Sequence, residues 1–153
     1  MTCIETEKEE INMSTDFVRA RAAILATIAL ALGSVAAVAK DVKVSLTGSE
    51  ETPPVTTSAT GTGTLKIAKD KSVSGSIKTS GIEGTAAHIH VGEPGKSGPP
   101  IITLVKGADG SWSVPPDSKL TDEQYASFKS GNLYVNVHSA EHKPGEIRAQ
   151  LKP

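Results

Sequence analysis

All four histidines of this 153-residue chain fall in two short segments, Ala86-Ala87-His88-Ile89-His90 and Tyr134-Val135-Asn136-Val137-His138-Ser139-Ala140-Glu141-His142. Neutral imidazole ligates copper, zinc, iron and nickel, so the useful question is whether these rings can meet. Both segments alternate apolar and polar residues with the period of a strand. Residues two apart then share a face, which sets His88 and His90 opposite Ala87, Ile89 and Val91. By the same rule Tyr134, Asn136 and His138 lie opposite Leu133, Val135 and Val137. If the apolar sets line a core and the strands are neighbours, His88, His90 and His138 converge as a candidate metal site on the outer face of a sheet. His142, beyond a turn, is a further candidate ligand, with simple exposure on its Glu-His-Lys-Pro loop as the alternative. Asn136, Glu146 and Arg148 share the outward face and are placed to orient the rings by hydrogen bonds. The competing reading gives His88 and His138 hydrogen bonds to backbone or to Asn136, with no metal. It makes Glu146 and Arg148 an exposed pair of little energetic weight.

Other catalytic arrangements are missing. There is no Gly-x-Ser-x-Gly elbow and no glycine-rich phosphate loop at the required spacing before Lys-Ser or Lys-Thr. Glu50 and Glu51 are adjacent, so in an extended segment they point to opposite faces and make a poor carboxylate pair.

The elements that must position the histidines are short strands. Val42, Val44 and Leu46 alternate with Lys43 and Ser45, and Pro53-Pro54 marks an edge or loop. Thr60 to Ala68 and Ser72 to Lys78, joined by Lys69-Asp70-Lys71, form a β-hairpin. The first histidine strand, about 85 to 91, leads into the turn-rich loop 92 to 100; Ile101 to Val105 follows as a strand, and Ser111 to Val114 as a short one. One helix interrupts: Thr121-Asp122-Glu123-Gln124 is a capping box, and Gly131 is the natural stop. Strands at Leu133 to Ser139 and Glu146 to Leu151 close the chain, with Ile147, Ala149 and Leu151 inward and Glu146, Arg148 and Gln150 outward. The fold class is all-β, an antiparallel sandwich or small barrel with one short helix.

Residues 22 to 39 carry no charge, follow Arg19 and Arg21, and end in Ala37-Val38-Ala39, the three-part layout of a secretory signal peptide. Residues 1 to 39 are therefore expected to be an export signal and 40 to 153 the mature domain. The first twelve residues are acidic, which makes Met13 a plausible true start. An uncleaved anchor is the alternative reading of the apolar run. Export to the periplasm or beyond implies no contact with the membrane once the signal is removed. The single cysteine, Cys3, precedes the apolar run, so the mature domain has none. Removing Lys8, Arg19 and Arg21 from the 16 basic residues, and Glu5, Glu7, Glu9, Glu10 and Asp16 from the 17 acidic ones, leaves 13 against 12. A charge near balance gives no electrostatic basis for nucleic-acid binding.

Four stretches, in order, resemble the chordin-type (CHRD) domain of bacterial exported proteins and of animal chordin. They are Leu46-Thr47-Gly48-Ser49-Glu50-Glu51-Thr52-Pro53-Pro54-Val55, Ala86-Ala87-His88-Ile89-His90, Leu133-Tyr134-Val135-Asn136-Val137-His138-Ser139, and Pro144-Gly145-Glu146-Ile147-Arg148-Ala149-Gln150-Leu151. The family more often shows a Gln-Glu-Val-like segment where this chain has Glu50-Glu51-Thr52, a departure expected to lie away from the histidines. The resemblance implies an immunoglobulin-like β-barrel distantly similar to copper-zinc superoxide dismutases, whose His-x-His strand and later strand histidine map onto His88, His90 and His138. It implies no established activity, and the disulfide, bridging histidine and zinc cluster of those enzymes are missing here. Three functions follow in order of preference. The first is an exported binding module that takes a metal, copper first, or an extracytoplasmic protein. The second is a superoxide-dismutase-like copper enzyme, and the third a structural or adhesive envelope domain without metal.

Overall fold

The computed structural model describes residues 39–153. Residues 1–38 of the expected export signal, with Cys3 and Met13, lie outside the described residues. Strand β1 (Ala39–Thr47) buries Val42, Val44 and Leu46 and leaves the residues between them in solvent. It pairs antiparallel with β2 (Thr60–Ala68), which forms a hairpin with β3 (Val73–Ser80). The turn is held by Asp70, whose Oδ1 accepts from the Ser72 amide at 3.1 Å and the Ser72 hydroxyl at 2.7 Å, an Asx-type turn. Strands β4 (Gly84–Val91), β8 (Leu133–Ser139) and β9 (Ile147–Leu151) form the other half of the sheet.

The chain between these halves departs from the single strand expected over 101 to 105. It runs as β5 (Pro100–Thr103) and β6 (Val105–Lys106), separated by Leu104. The nine-stranded order is β5-β4-β8-β9-β1-β2-β3-β7-β6, with β7 at Ser111–Ser113. The two end strands are thus consecutive in sequence. Leu104 plugs the core at 4% exposure while its amide bonds Ala87 O at 2.9 Å. Val105, one residue on, is 53% exposed and already pairs with β7. The strand breaks because one buried leucine carries the chain from one end of the sheet to the other, and Lys106 Nζ stitches the seam to Gly84 O at 2.7 Å.

The helix α1 (Asp122–Lys129) begins as its sequence predicts. Gln124 N donates to Thr121 Oγ1 at 3.2 Å, and Thr121 N donates to Gln124 Oε1 at 2.9 Å, both bonds of a capping box. It ends with Asn132 N on Ser127 O and Gly131 N on Phe128 O, each 2.8 Å, with Gly131 at φ 75°, the bond pattern of a Schellman stop. Phe128 anchors it to a core built on Leu46, Leu65, Ile77, Trp112, Leu133, Val135, Val137 and Ile147, among others. None of the helices among the described residues is long and apolar enough to cross a membrane.

A leucine truncated where neighbours cannot collapse loses both transfer energy and packing. Leu46→Ala, at 0% exposure, is expected to lower unfolding free energy by roughly 2–5 kcal/mol in urea titrations. Val105→Ala should stay within about 0.5 kcal/mol of the parent.

Candidate metal centre

The histidines sit on the outer face of the most deeply buried strands. In the β4–β8 register His88 lies opposite Asn136, His90 opposite Tyr134, and Ala86 opposite His138. In the β8–β9 register Asn136 faces Arg148 and Tyr134 faces Gln150. Asn136 is therefore the middle residue of this face, with His88 on one side and Arg148 on the other. Ring centroids stand 5.5 Å apart for His88 and His90, 4.9 Å for His88 and His138, and 6.2 Å for His90 and His138. One ligand nitrogen from each ring lies within 4.8 Å of the others. Two donors at zinc-like bond lengths of about 2.0–2.1 Å stand roughly 3.4 Å apart in a tetrahedron, so ring movements on the order of 1 Å would close the set on an ion. His142 is not a member of this group; its amide bonds the Ser139 hydroxyl at 3.1 Å, which fixes the turn.

Backbone carbonyls fix which nitrogen is free. His90 Nδ1 is 2.8 Å from Gly98 O, and His138 Nδ1 is 2.8 Å from Lys143 O. A carbonyl only accepts, so each Nδ1 carries the proton and each neutral ring keeps its lone pair on Nε2. His138 Nε2 faces His88 Nδ1 at 3.0 Å, which makes His88 the donor in the metal-free state. His90 Nε2 is buried and has no partner. A carbonyl behind one ring nitrogen with the other nitrogen free is how proteins orient metal-ligating histidines.

The outer face of these strands is covered, contrary to the solvated surface expected from the alternation. Loops on either side fold across it: a 3₁₀ turn (Gly48–Glu50) with the residues after it, and the segment 92 to 99. His90 is 7% exposed, Asn136 2%, Glu146 8% and Arg148 1%, while His88 and His138 remain half-buried. The expected Glu146–Arg148 surface pair does not form. Glu146 Oε1 accepts from the Thr57 hydroxyl at 2.8 Å. Arg148 donates to Lys96 O at 3.0 Å, Glu93 O at 3.1 Å and Gln150 Oε1 at 2.9 Å, and its guanidinium lies 3.6 Å over the Tyr134 ring. On the β4 side the same ring stacks with His90, centroids 4.7 Å apart and 7° from parallel.

Glu51 is the residue the sequence reading missed. It is 7% exposed and lies beside the Asn136 amide and the Arg148 charge. It reaches that amide because Gly145 leaves space. A Cβ there would meet Glu51 Oε1 and stand 2.6 Å from Asn136 Nδ2, and its φ of 142° already favours glycine. The signal was present in the Leu46–Val55 motif, but its distance along the chain from Asn136 hid the contact.

Burial shifts the titration of the site. Desolvation, then the His138 and His90 charges, lowers the His88 pKa from its ordinary value. Desolvation also lowers that of His90, opposed by the Gly98 carbonyl and the Asn136 amide and reinforced by His138 and Arg148. Glu51 is pushed up by burial, against the neighbouring Thr52 backbone, the Asn136 amide and the Arg148 charge. Neutral imidazoles are therefore favoured, and these are the form that ligates.

The family model for the CHRD domain matches residues 42–151. The chain belongs to the CHRD-domain family. No curated protein and no solved structure matches it. The matched span holds the three histidines, both covering loops and Arg148, so the whole centre lies within the CHRD domain.

Because the folded pKa values of His88 and His90 lie below the unfolded value of about 6.5, the unfolded chain binds more protons as pH falls. The stability conferred by keeping these rings neutral is complete above about pH 6.5 and is lost as pH drops through the lower folded values. Denaturant titrations of the metal-free protein should show this decline. The double variant His88→Gln/His90→Gln should flatten it. Arg148→Leu, which strands the carbonyls of Glu93 and Lys96, is expected to cost roughly 2–4 kcal/mol in the same titrations.

Proposed function

We propose that this CHRD domain is an exported metal-binding module whose centre is His88, His90 and His138, with copper as the first candidate ion. The observation that carries the reading is the pair of carbonyl-anchored rings, each with a lone pair on Nε2, one of them buried and unpartnered. An all-imidazole set suits copper, zinc, iron or nickel, and the half-buried His88 and His138 leave a route for an ion from solvent. Arg148 acts from behind the ligands, through the Tyr134 ring that stacks on His90. Export rests on the uncharged run 22–39 and its Ala-x-Ala ending. A folded domain without cysteine would also offer no thiolate to compete for the ion.

The test is Cu²⁺ titration of the full chain in a Cys3→Ser background, followed by electron paramagnetic resonance. One equivalent bound with nitrogen hyperfine structure, lost in His138→Ala and kept in His142→Ala, is the expected result. No stoichiometric binding, or binding indifferent to His138, would remove the metal and leave a binding module that meets protein partners. Superoxide dismutation becomes worth assaying only if the copper is held and cycles between oxidation states.

A further inference from the structure

His90 is surrounded in a way that its three-histidine role does not explain. Its Nδ1 donates to Gly98 O, so Nε2 is an acceptor, and nothing donates to it. Asn136, on the same face of the sheet, has an Oδ1 that is likewise buried without a donor. Two buried lone pairs on one face of the sheet therefore lack donors. The amide is not free to turn round and offer its NH₂ instead. Asn136 Nδ2 points the other way, toward Pro144 O at 3.5 Å and the Glu51 carboxyl, over Gly145. Reversing it would set Oδ1 against a carbonyl and a carboxylate. Glu51 Oε1 is a third buried acceptor with no donor. At 7%, 2% and 7% exposure for His90, Asn136 and Glu51, bulk water does not supply the missing hydrogens.

A bound cation would meet these lone pairs. The register makes Asn136 the direct neighbour of His88 and places it two residues before His138, on the same face, so its oxygen belongs to the ring of ligands by position as well as by valence. We propose that Asn136 Oδ1 is the fourth donor of the centre, an amide oxygen completing a three-nitrogen, one-oxygen set for a divalent cation. This rests on the metal reading above. Glu51 holds the amide in its coordinating orientation and is the nearby buried carboxyl able to balance the ion's charge. A carbonyl-type oxygen suits a divalent ion better than soft monovalent copper, which selects thiolate and thioether.

The experiment compares Asn136→Val and Asn136→Asp with the parent, all as the full chain in the Cys3→Ser background. Zn²⁺ affinity is read by chelator competition, and Cu²⁺ coordination by electron paramagnetic resonance. Asn136→Val should weaken Zn²⁺ binding by roughly 10–100-fold and shift the Cu²⁺ parallel g and hyperfine values, with the three-nitrogen pattern kept. Asn136→Asp, isosteric and still offering an oxygen, should retain Zn²⁺ affinity within about tenfold of the parent or better, and shift the copper parameters toward a charged oxygen ligand. If the valine variant does not fold, the aspartate variant alone decides by those parameters. Copper spectra and zinc affinities unchanged by both substitutions would overturn the oxygen ligand and leave the three histidines standing. A parent that binds neither ion would instead remove the centre itself.

Discussion

One buried guanidinium organises the polar half of this barrel. Removing a charge from water is costly unless its donors are met, and Arg148, at 1% exposure, meets them with the backbone of a loop rather than with a carboxylate. Those bonds pull the segment 92 to 98 down across β8 and β9. Gln150, the next outward residue on β9, adds Gly92 O and Gly131 O, each at 2.8 Å. The loop so pinned presents Gly98 O to His90, and that carbonyl decides which ring nitrogen is left free. Tyr134 stands between the arginine and the histidine and touches both. The protonation pattern of a histidine on β4 thus depends on an arginine two strands away.

The opposite face supplies the rigidity this arrangement needs. Val135 and Val137 are fully buried, as are Leu133 and Ile147, so the strands bearing the histidines are packed on both sides. Ligands placed on such strands hold their geometry more closely than ligands on loops. The price is a layer of polar atoms in dry surroundings, including the unpartnered acceptors of His90, Asn136 and Glu51.

Much of this was legible from residue pattern. Strand β8 has the bounds its alternation predicted, and the capping box of α1 formed both of its bonds. The three histidines share a face because a period of two leaves them no choice, and β4 and β8 are neighbours. What the pattern could not reveal was that the outward face is also inside. Alternation separates apolar from polar, and it is silent on whether a distant loop will cover the polar side. Arg148 and Glu146 therefore read as an exposed pair, although their partners come from residues 52 to 57 and 93 to 96. The break at Leu104 was hidden for a related reason: Leu104 and Val105 are both apolar, and only closure of the sheet separates the buried leucine from the exposed valine after it.

That closure bears on how the domain can meet another protein. The strands that end the sheet are four and two residues long, the first starts at a proline, and the chain itself joins them through Leu104. At these two strands there is no long open edge on which an incoming chain could extend the hydrogen-bonded ladder. Strand addition, by which many sheet proteins capture peptides and by which they also aggregate, has little purchase at this seam. Recognition of a macromolecule there would fall to loops and side chains, leaving the ladder intact.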